Sequence, residues 1–210
     1  EENLNFFATL FGTTVEENRD LINDIYVQLE PFKDRRAGKL SGGMKQKLAL
    51  CCALVHRPSV LLLDEPTTGV DPVSRKEFWA MLTRLKEQGI SILVSTPYMD
   101  EAKLCDRIAL MQSGRIMSVD TPDGIIAEYN TPLFGARATN MYLLQRSLLA
   151  DPRVETCYTF GEELHLTFVN GSADVIDGVV ASMLDAGHTD VSISSIRPTI
   201  EDCFIRLMAQ

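Results

Sequence analysis

Residues 40–72 read LSGGMKQKLALCCALVHRPSVLLLDEPTTGVDP, and two short pieces of this stretch decide how the chain folds. The first is Ser41-Gly42-Gly43, at the head of a helical pattern. A serine there serves as an N-cap, and the first turn of a helix leaves N–H groups unpaired and favours negative charge. With two glycines that let another molecule approach the backbone, such a turn suits an anion such as a phosphate. The second piece is the step from SVLLL into Asp64 and Glu65. A short apolar run with little alternation reads as a strand buried on both faces of a parallel sheet. Ligands of open α/β sheets bind in the crevice beyond the strand ends. One carboxylate at that edge can hold Mg²⁺ through its waters, while its neighbour faces another way and can orient a water. Phosphoryl transfer asks little more of a protein than positioning and charge neutralisation. Taken singly, each piece also has a plainer reading. LSGG is an ordinary Ser-Gly helix start, and D-E-P is a strand that turns at a proline with its acids solvated.

Outward from this stretch, the pattern alternates. Residues 1–38 read as mostly helical, with Leu21, Ile22, Ile25 and Leu29 in one stripe. Residues 43–55 form a second helix with Leu48, Cys52 and Val55 on its apolar face. After the Asp64 strand comes an amphipathic helix carrying Phe78, Met81, Leu82 and Leu85 and ending at Gly89. ISILVST repeats the buried-strand signature, DEAKLCD is a short helix, and RIALMQSGRIMSV is a hairpin around Ser113-Gly114. Strand–helix–strand alternation predicts an α/β layered core with parallel strands. From about residue 129 the grammar changes to a small α+β module. Val154, Thr156, Tyr158 and Phe160 share one strand face, Leu164, Leu166 and Phe168 share another, and Gly161 lies in the turn between. A helix with Val175, Val179, Val180 and Met183 stops near Gly187, and a last helix is capped by Thr199 with Asp202 three residues on.

Composition narrows the function. The chain has 210 residues, 45% apolar and 23% charged, as expected for one or two globular domains. Its net charge is −9, and no lysine follows Lys103. That balance disfavours a nucleic-acid binder, which needs a basic patch. Five scattered cysteines with no C-x-x-C pair read as core residues in a reducing compartment, not as staples or metal ligands. The longest apolar run, Leu48 to Val55, is far short of a membrane span. No signal-peptide pattern occurs. The opening EENLNFFATLFG lacks an initiator methionine and already follows a helical pattern, so the expectation is a fragment whose N-terminus lies upstream.

Taken together, the motifs resemble the nucleotide-binding subunit of ABC (ATP-binding cassette) transporters. The match comprises the signature LSGGM, the Walker B strand VLLLDEP and the D-loop TTGVDP, in the family's order and spacing. It continues through VSTPYMDEAKLCDRIALMQSGRI and covers roughly residues 1–128. VSTPYMDEA, with the separate tail ending IRPTIEDCFIRL, looks most like ATPase subunits of multidrug-type exporters. The resemblance implies an α/β fold, part of a P-loop NTPase (RecA-like) core. Its helical signature subdomain would be about 1–55, its Walker B, D-loop and H-loop region about 56–128, and its α+β accessory module 129–210. It implies that Asp64 helps hold Mg²⁺ and that Glu65 polarises the attacking water. Ser41, Gly42 and Gly43 would contact the γ-phosphate of ATP bound to a dimer partner, and Asp71 would lie in the loop joining the two sites. The membrane permease would be a separate polypeptide, and the subunit cytoplasmic and peripheral at the inner face of the membrane. Met44 replaces a glutamine often found at that position.

Two departures stand out. No G-x-x-x-x-G-K-[ST] occurs, because Gly38-Lys39 is followed by Leu40 and lacks the spacing. The phosphate-cradling loop and the glutamine loop after it would then lie upstream of Glu1. Where the family usually has S-T-H, this chain has Ser95-Thr96-Pro97. Proline has no N–H and no side-chain donor, so a γ-phosphate contact is lost and slower hydrolysis is expected. None of His56, His165 and His188 lies near that loop in sequence. His165 falls on the polar face of its strand and His56 in a helix-to-strand connection, each in a structural or solvated role. Phe78, Trp79 and the tail residues Ile200, Cys203, Phe204 and Leu207 read as core. Lys33, Arg35, Arg36 and Lys39 read as a solvated face.

Three functions compete: an export-energising ATPase, an ATPase of translation or DNA repair, and a non-catalytic binding or regulatory module. The second needs basic surfaces and typically shows tandem cassettes or long coiled coils, whereas this sequence has one cassette half, no sustained heptads and an acidic balance. The third follows from the missing phosphate loop, and the retained Asp64-Glu65 pair opposes it.

Overall fold

A computed structural model describes residues 1–171 and 173–209. The chain divides into two units, Glu1–Leu104 and Cys105–Gln210. In the first, α1 (Glu2–Leu10), α2 (Arg19–Leu29) and α3 (Gly42–Leu54) precede strand β1 (Val60–Asp64). Helix α4 (Pro72–Glu87), strand β2 (Ser91–Ser95) and the single turn α5 (Met99–Ala102) follow. The expected stripe of α2 is buried, with Tyr26 added to it. Of the expected face beside α3, Cys52 and Val55 are buried and Leu48 is half-buried, and Lys47, Leu50, Cys51 and Leu54 are buried as well. The Lys47 stem packs inward while its ammonium donates to Gln28 Oε1 and Glu77 Oε2, both at 2.6 Å. That lysine ties α2, α3 and α4 together, which explains a charged residue on an inward face.

β1 and β2 pair in parallel, from Val60 opposite Ser91 to Asp64 opposite Ser95. The expectation of burial on both faces is not met within this unit. Leu61 is 4% exposed, but Leu62 and Leu93 are 70% and 67% exposed. Side chains alternate across a strand, α4 packs on one side of this two-stranded sheet, and the opposite face is open. Asp71 caps α4 by accepting from Ser74 N at 3.0 Å, with Pro72 in the first turn. Gly89, at φ +88°, ends the following turn.

The second unit opens with the hairpin β3 (Ile108–Gln112) and β4 (Arg115–Asp120). Its turn residues Ser113 and Gly114 have φ of +49° and +74°, the left-handed pair that a two-residue hairpin loop needs. α6 (Pro122–Ala127) follows, capped by Thr121. Its Ile125 carbonyl accepts from Cys203 Sγ at 3.5 Å, so α6 packs with the tail. The division after Leu104 therefore precedes the 128/129 boundary read from composition of the pattern. β5 (Leu133–Arg137), α7 (Met141–Ala150), β6 (Val154–Phe160), β7 (Glu163–Phe168), α8 (Ile176–Asp185), β8 (Ser192–Ile196) and α9 (Ile200–Met208) complete the unit.

The strands form an antiparallel sheet in the order β6-β7-β5-β8. Phe134, Leu164, Leu166 and Phe168 meet Leu144 and Leu148 of α7 and Val179 and Met183 of α8 on one face. One expectation changes here and another is narrowed. A register shift between Val154 and Thr156 makes Val154 pack on that core while Thr156, Tyr158 and Phe160 face the other way. His165 is 2% exposed, so of its two expected roles, structural or solvated, it takes the structural one. Its face of the sheet is covered by α9, whose Asp202 Oδ1 lies 2.6 Å from His165 Nδ1 and accepts from Tyr158 Oη at 2.6 Å. The predicted capping box of Thr199 and Asp202 is present.

Candidate active site

At the C-terminal end of β1, Asp64 and Glu65 are both exposed and both held by the facing strand. Ser95, directly opposite Asp64 in the register, donates its hydroxyl to Asp64 Oδ1. The Glu65 N–H points to Ser95 O at 3.0 Å and to Ser95 Oγ at 3.1 Å. Glu65 itself adopts φ +44°, a left-handed conformation uncommon for a non-glycine residue and worth about 1–3 kcal/mol of strain. That kink turns the chain off the strand direction between the two acids. Glu65 Oε2 accepts from Thr68 Oγ1 at 3.1 Å, so the side chain is braced as well as the backbone. The sequence marks Ser95 only as the start of Ser95-Thr96-Pro97, and the pairing register reveals its hold on Asp64.

Ser41 caps α3 as expected, its Oγ accepting from Met44 N at 3.3 Å. Gly42 is exposed and Gly43 buried. The glycine at 43 has a reason within the chain: a Cβ there would sit 2.7 Å from Ser74 Oγ and 2.8 Å from Ser74 Cβ. A Cβ at Gly42 would come within 3.3 Å of Gly69 O. The signature turn thus packs directly on the start of α4. Asp71, read as a loop residue joining two sites, also has a local task. The Ser74 N–H and hydroxyl hold its carboxyl below the usual value, with its charge on the N-terminus of α4. Pro97 is exposed, two residues past the end of β2.

The segment after Pro97 contains a group that pattern reading missed. Glu101 is 2% exposed and accepts from Thr67 Oγ1 at 2.7 Å, Thr96 Oγ1 at 2.6 Å and Arg75 Nε at 3.0 Å. Burial pushes its carboxyl up, but hydrogen bonds, those from Thr96, Thr67 and Arg75 among them, outweigh this and hold it below the usual range. Arg75 also stacks over the Tyr98 ring at 4.1 Å. The partners come from three separate segments, so no local periodicity announces them.

Among the described residues no three His, Cys, Asp or Glu side chains gather into a metal site. Mg²⁺ fits such a place nonetheless, because it keeps several waters and needs one or two carboxylates beside substrate phosphates. Asp64 ends β1 as an exposed carboxylate of that kind.

Comparison with known proteins identifies the family. A family model described as ABC transporter matches residues 4–68. The "Probable multidrug ABC transporter ATP-binding protein YbhF" of Escherichia coli K12 is 38% identical over 99% of this chain. The chain belongs to the ABC transporter ATP-binding family. It spans 36% of the length of that relative. Another relative, the "Nod factor export ATP-binding protein I" of Rhizobium sp. strain N33, is 32% identical over 98% of this chain and 66% of its own length. A solved ATP-binding subunit of an ABC transporter matches with a TM-score of 0.51 and 28% identity, covering 61% of this chain and 55% of its own. The fold is accordingly the α/β fold of an ABC cassette, within the P-loop NTPase class. No described helix is long and apolar enough to cross a membrane.

Proposed function

We propose that this chain is part of an ATP-hydrolysing subunit that energises a membrane exporter through ATP-driven dimerisation. The observation that carries the reading is the Asp64-Glu65 pair at the end of a parallel strand, with both residues fixed by Ser95. Residues 1–128 are the ATPase part and 129–210 an accessory module. Asp64 would hold Mg²⁺, which when bound neutralises charge on the phosphate oxygens. Glu65 orients the attacking water, its carboxylate kept in place by Thr68. Ser41, Gly42 and Gly43 present the α3 N-terminus to the ATP of a second cassette, where unpaired N–H groups and the helix dipole favour a phosphate. Asp71 shapes the loop beside them through its cap on α4. Pro97 supplies no donor to the phosphate, so turnover is slower than in a histidine-bearing relative.

The exporter assignment is supported by relatives whose names specify multidrug and Nod factor export. The permease is a separate membrane protein in this reading, and the subunit is cytoplasmic and peripheral to the membrane. An apolar groove of about 510 Å³ between α1 and α3, lined by Phe7, Phe11, Leu48, Ala49, Cys52 and His56, supports a partner contact on the same unit.

The test is nucleotide-driven association of the full-length polypeptide. Mass photometry of its Glu65→Gln form, which retains ATP, is expected to show twice the monomer mass with Mg·ATP and the monomer mass without it. Ser41→Arg is expected to abolish the doubling. A mass indifferent to Mg·ATP in the Glu65→Gln form would contradict dimerisation as the working step.

A further inference from the structure

The Glu101 cluster links the two loops that flank the acids. Thr67 lies two residues after Glu65, and its hydroxyl is buried against Glu101. Thr96 lies between Ser95, which holds both acids, and Pro97. Arg75 sits in the first turns of α4, just past the Asp71 cap, and reaches the same carboxylate. A second acid, Asp100, lies 3.4 Å from Arg75 Nη2, so the guanidinium is shared between one buried and one exposed carboxylate.

A buried, ionised carboxylate is stable only when its hydrogen bonds and charge are matched. Here the matching groups come from the β1–α4 loop, from α4 and from the β2–α5 loop, so these segments cannot shift apart without leaving the charge unpaired. Glu65 needs such a restraint. Its left-handed backbone is strained, and strain persists only where the surroundings over-determine it. Ser95 holds Glu65 from the strand side, and Thr67 is anchored by Glu101 just beyond it.

We propose that Glu101 is a positioning residue, which clamps Thr67 and Arg75 to Thr96 and so fixes the Glu65 carboxylate relative to the reacting phosphate. This rests on the ATPase reading given above. Glu101 touches neither water nor nucleotide in this role. It acts on hydrolysis through the placement of Glu65, and misplacement of a reacting group by about 1 Å can cost on the order of 100-fold in rate.

Two arms test it in the full-length protein. In the first, ATP turnover is measured for wild type, Glu101→Gln, Thr67→Val and Thr67→Ser. Gln keeps the shape of Glu101 but loses the ionic bond to Arg75, and Val keeps the shape of Thr67 but loses the hydroxyl. Both are expected to lower kcat about tenfold or more with KM changed less than about threefold, the signature of an interaction lost mainly in the transition state. Thr67→Ser, which retains the hydroxyl, is expected to stay close to wild type. In the second arm, amide hydrogen exchange is followed. Exchange in a peptide covering residues 64–70 is expected to rise in Glu101→Gln and Thr67→Val, with peptides from α2 and α3 unchanged. Turnover of both variants within about twofold of wild type would overturn the proposal, as would an exchange increase spread evenly over the unit. Absence of turnover in wild type would count against the ATPase reading itself, and the exchange arm would still decide whether Glu101 positions Glu65.

Discussion

Glu65→Gln in the full-length protein is expected to lower ATP turnover by at least about 100-fold while leaving Mg·ATP bound, because positioning and general-base contributions of this kind are worth on the order of 10²–10⁴ in rate. The two side chains are nearly isosteric, so the contact with Thr68 Oγ1 and the two backbone contacts to Ser95 can survive the change. The negative charge that, in the proposed role, polarises the attacking water does not survive it. Phosphate release measured side by side for the two proteins checks this, with nucleotide binding as the control. Pro97→His in the same assay is expected to move the other way, raising turnover, since it adds a donor to an exposed loop where proline has none. No gain on adding the histidine would count against a role for that position in phosphate contact.

The second large effect lies in the second unit and concerns stability. Asp202 is fully buried and accepts from Tyr158 Oη, His165 Nδ1, Thr199 N and Thr199 Oγ1 at 2.6–2.7 Å. Asp202→Ala leaves all of these groups without their acceptor, and breaking a buried polar network in this way costs about 3–5 kcal/mol. Burial pushes the Asp202 carboxyl up, but the hydrogen bonds from Tyr158, His165 and Thr199 prevail and hold it below its usual value. A carboxylate whose folded value is depressed stabilises the fold fully above its unfolded value, near pH 4, and loses that contribution as pH falls through the folded value. Unfolding of the second unit should therefore become easier on the acid side, and less steeply so in the variant. Urea denaturation followed by hydrogen exchange in β7 measures both effects. Trp79, the only tryptophan, lies in the first unit and serves as an internal control by its fluorescence.

How legible all this was depends on how local each interaction is. Ser41, Asp71 and Thr199 are caps, set by residues three positions away, and the sequence exposes their geometry or at least their place. The stripes of α2 and α4 follow the 3.6-residue period, and the left-handed glycines 89, 161 and 187 mark their turns. What escaped were contacts between distant segments. Ser95 matters because the β1–β2 register sets it opposite Asp64, and nothing within ISILVST distinguishes it. Glu101 looked like one more acid in a short polar helix, yet its partners are 34, 26 and 5 residues away. His165 reads as structural or solvated on a polar face, and what decides for the structural role is a helix from the far end of the chain that covers that face. Leu62 and Leu93 show the opposite error: an apolar run states an appetite for burial, and one face of this sheet leaves it unmet.

The most direct test of the ATPase claim is isothermal titration of full-length protein with ATP, with and without Mg²⁺, for wild type and Asp64→Asn. Binding that tightens with Mg²⁺ in wild type, and loses most of that dependence in Asp64→Asn, is the predicted result. No ATP binding by the full-length protein, or a Mg²⁺ dependence unchanged in Asp64→Asn, would contradict the assignment of the β1 edge as the nucleotide site.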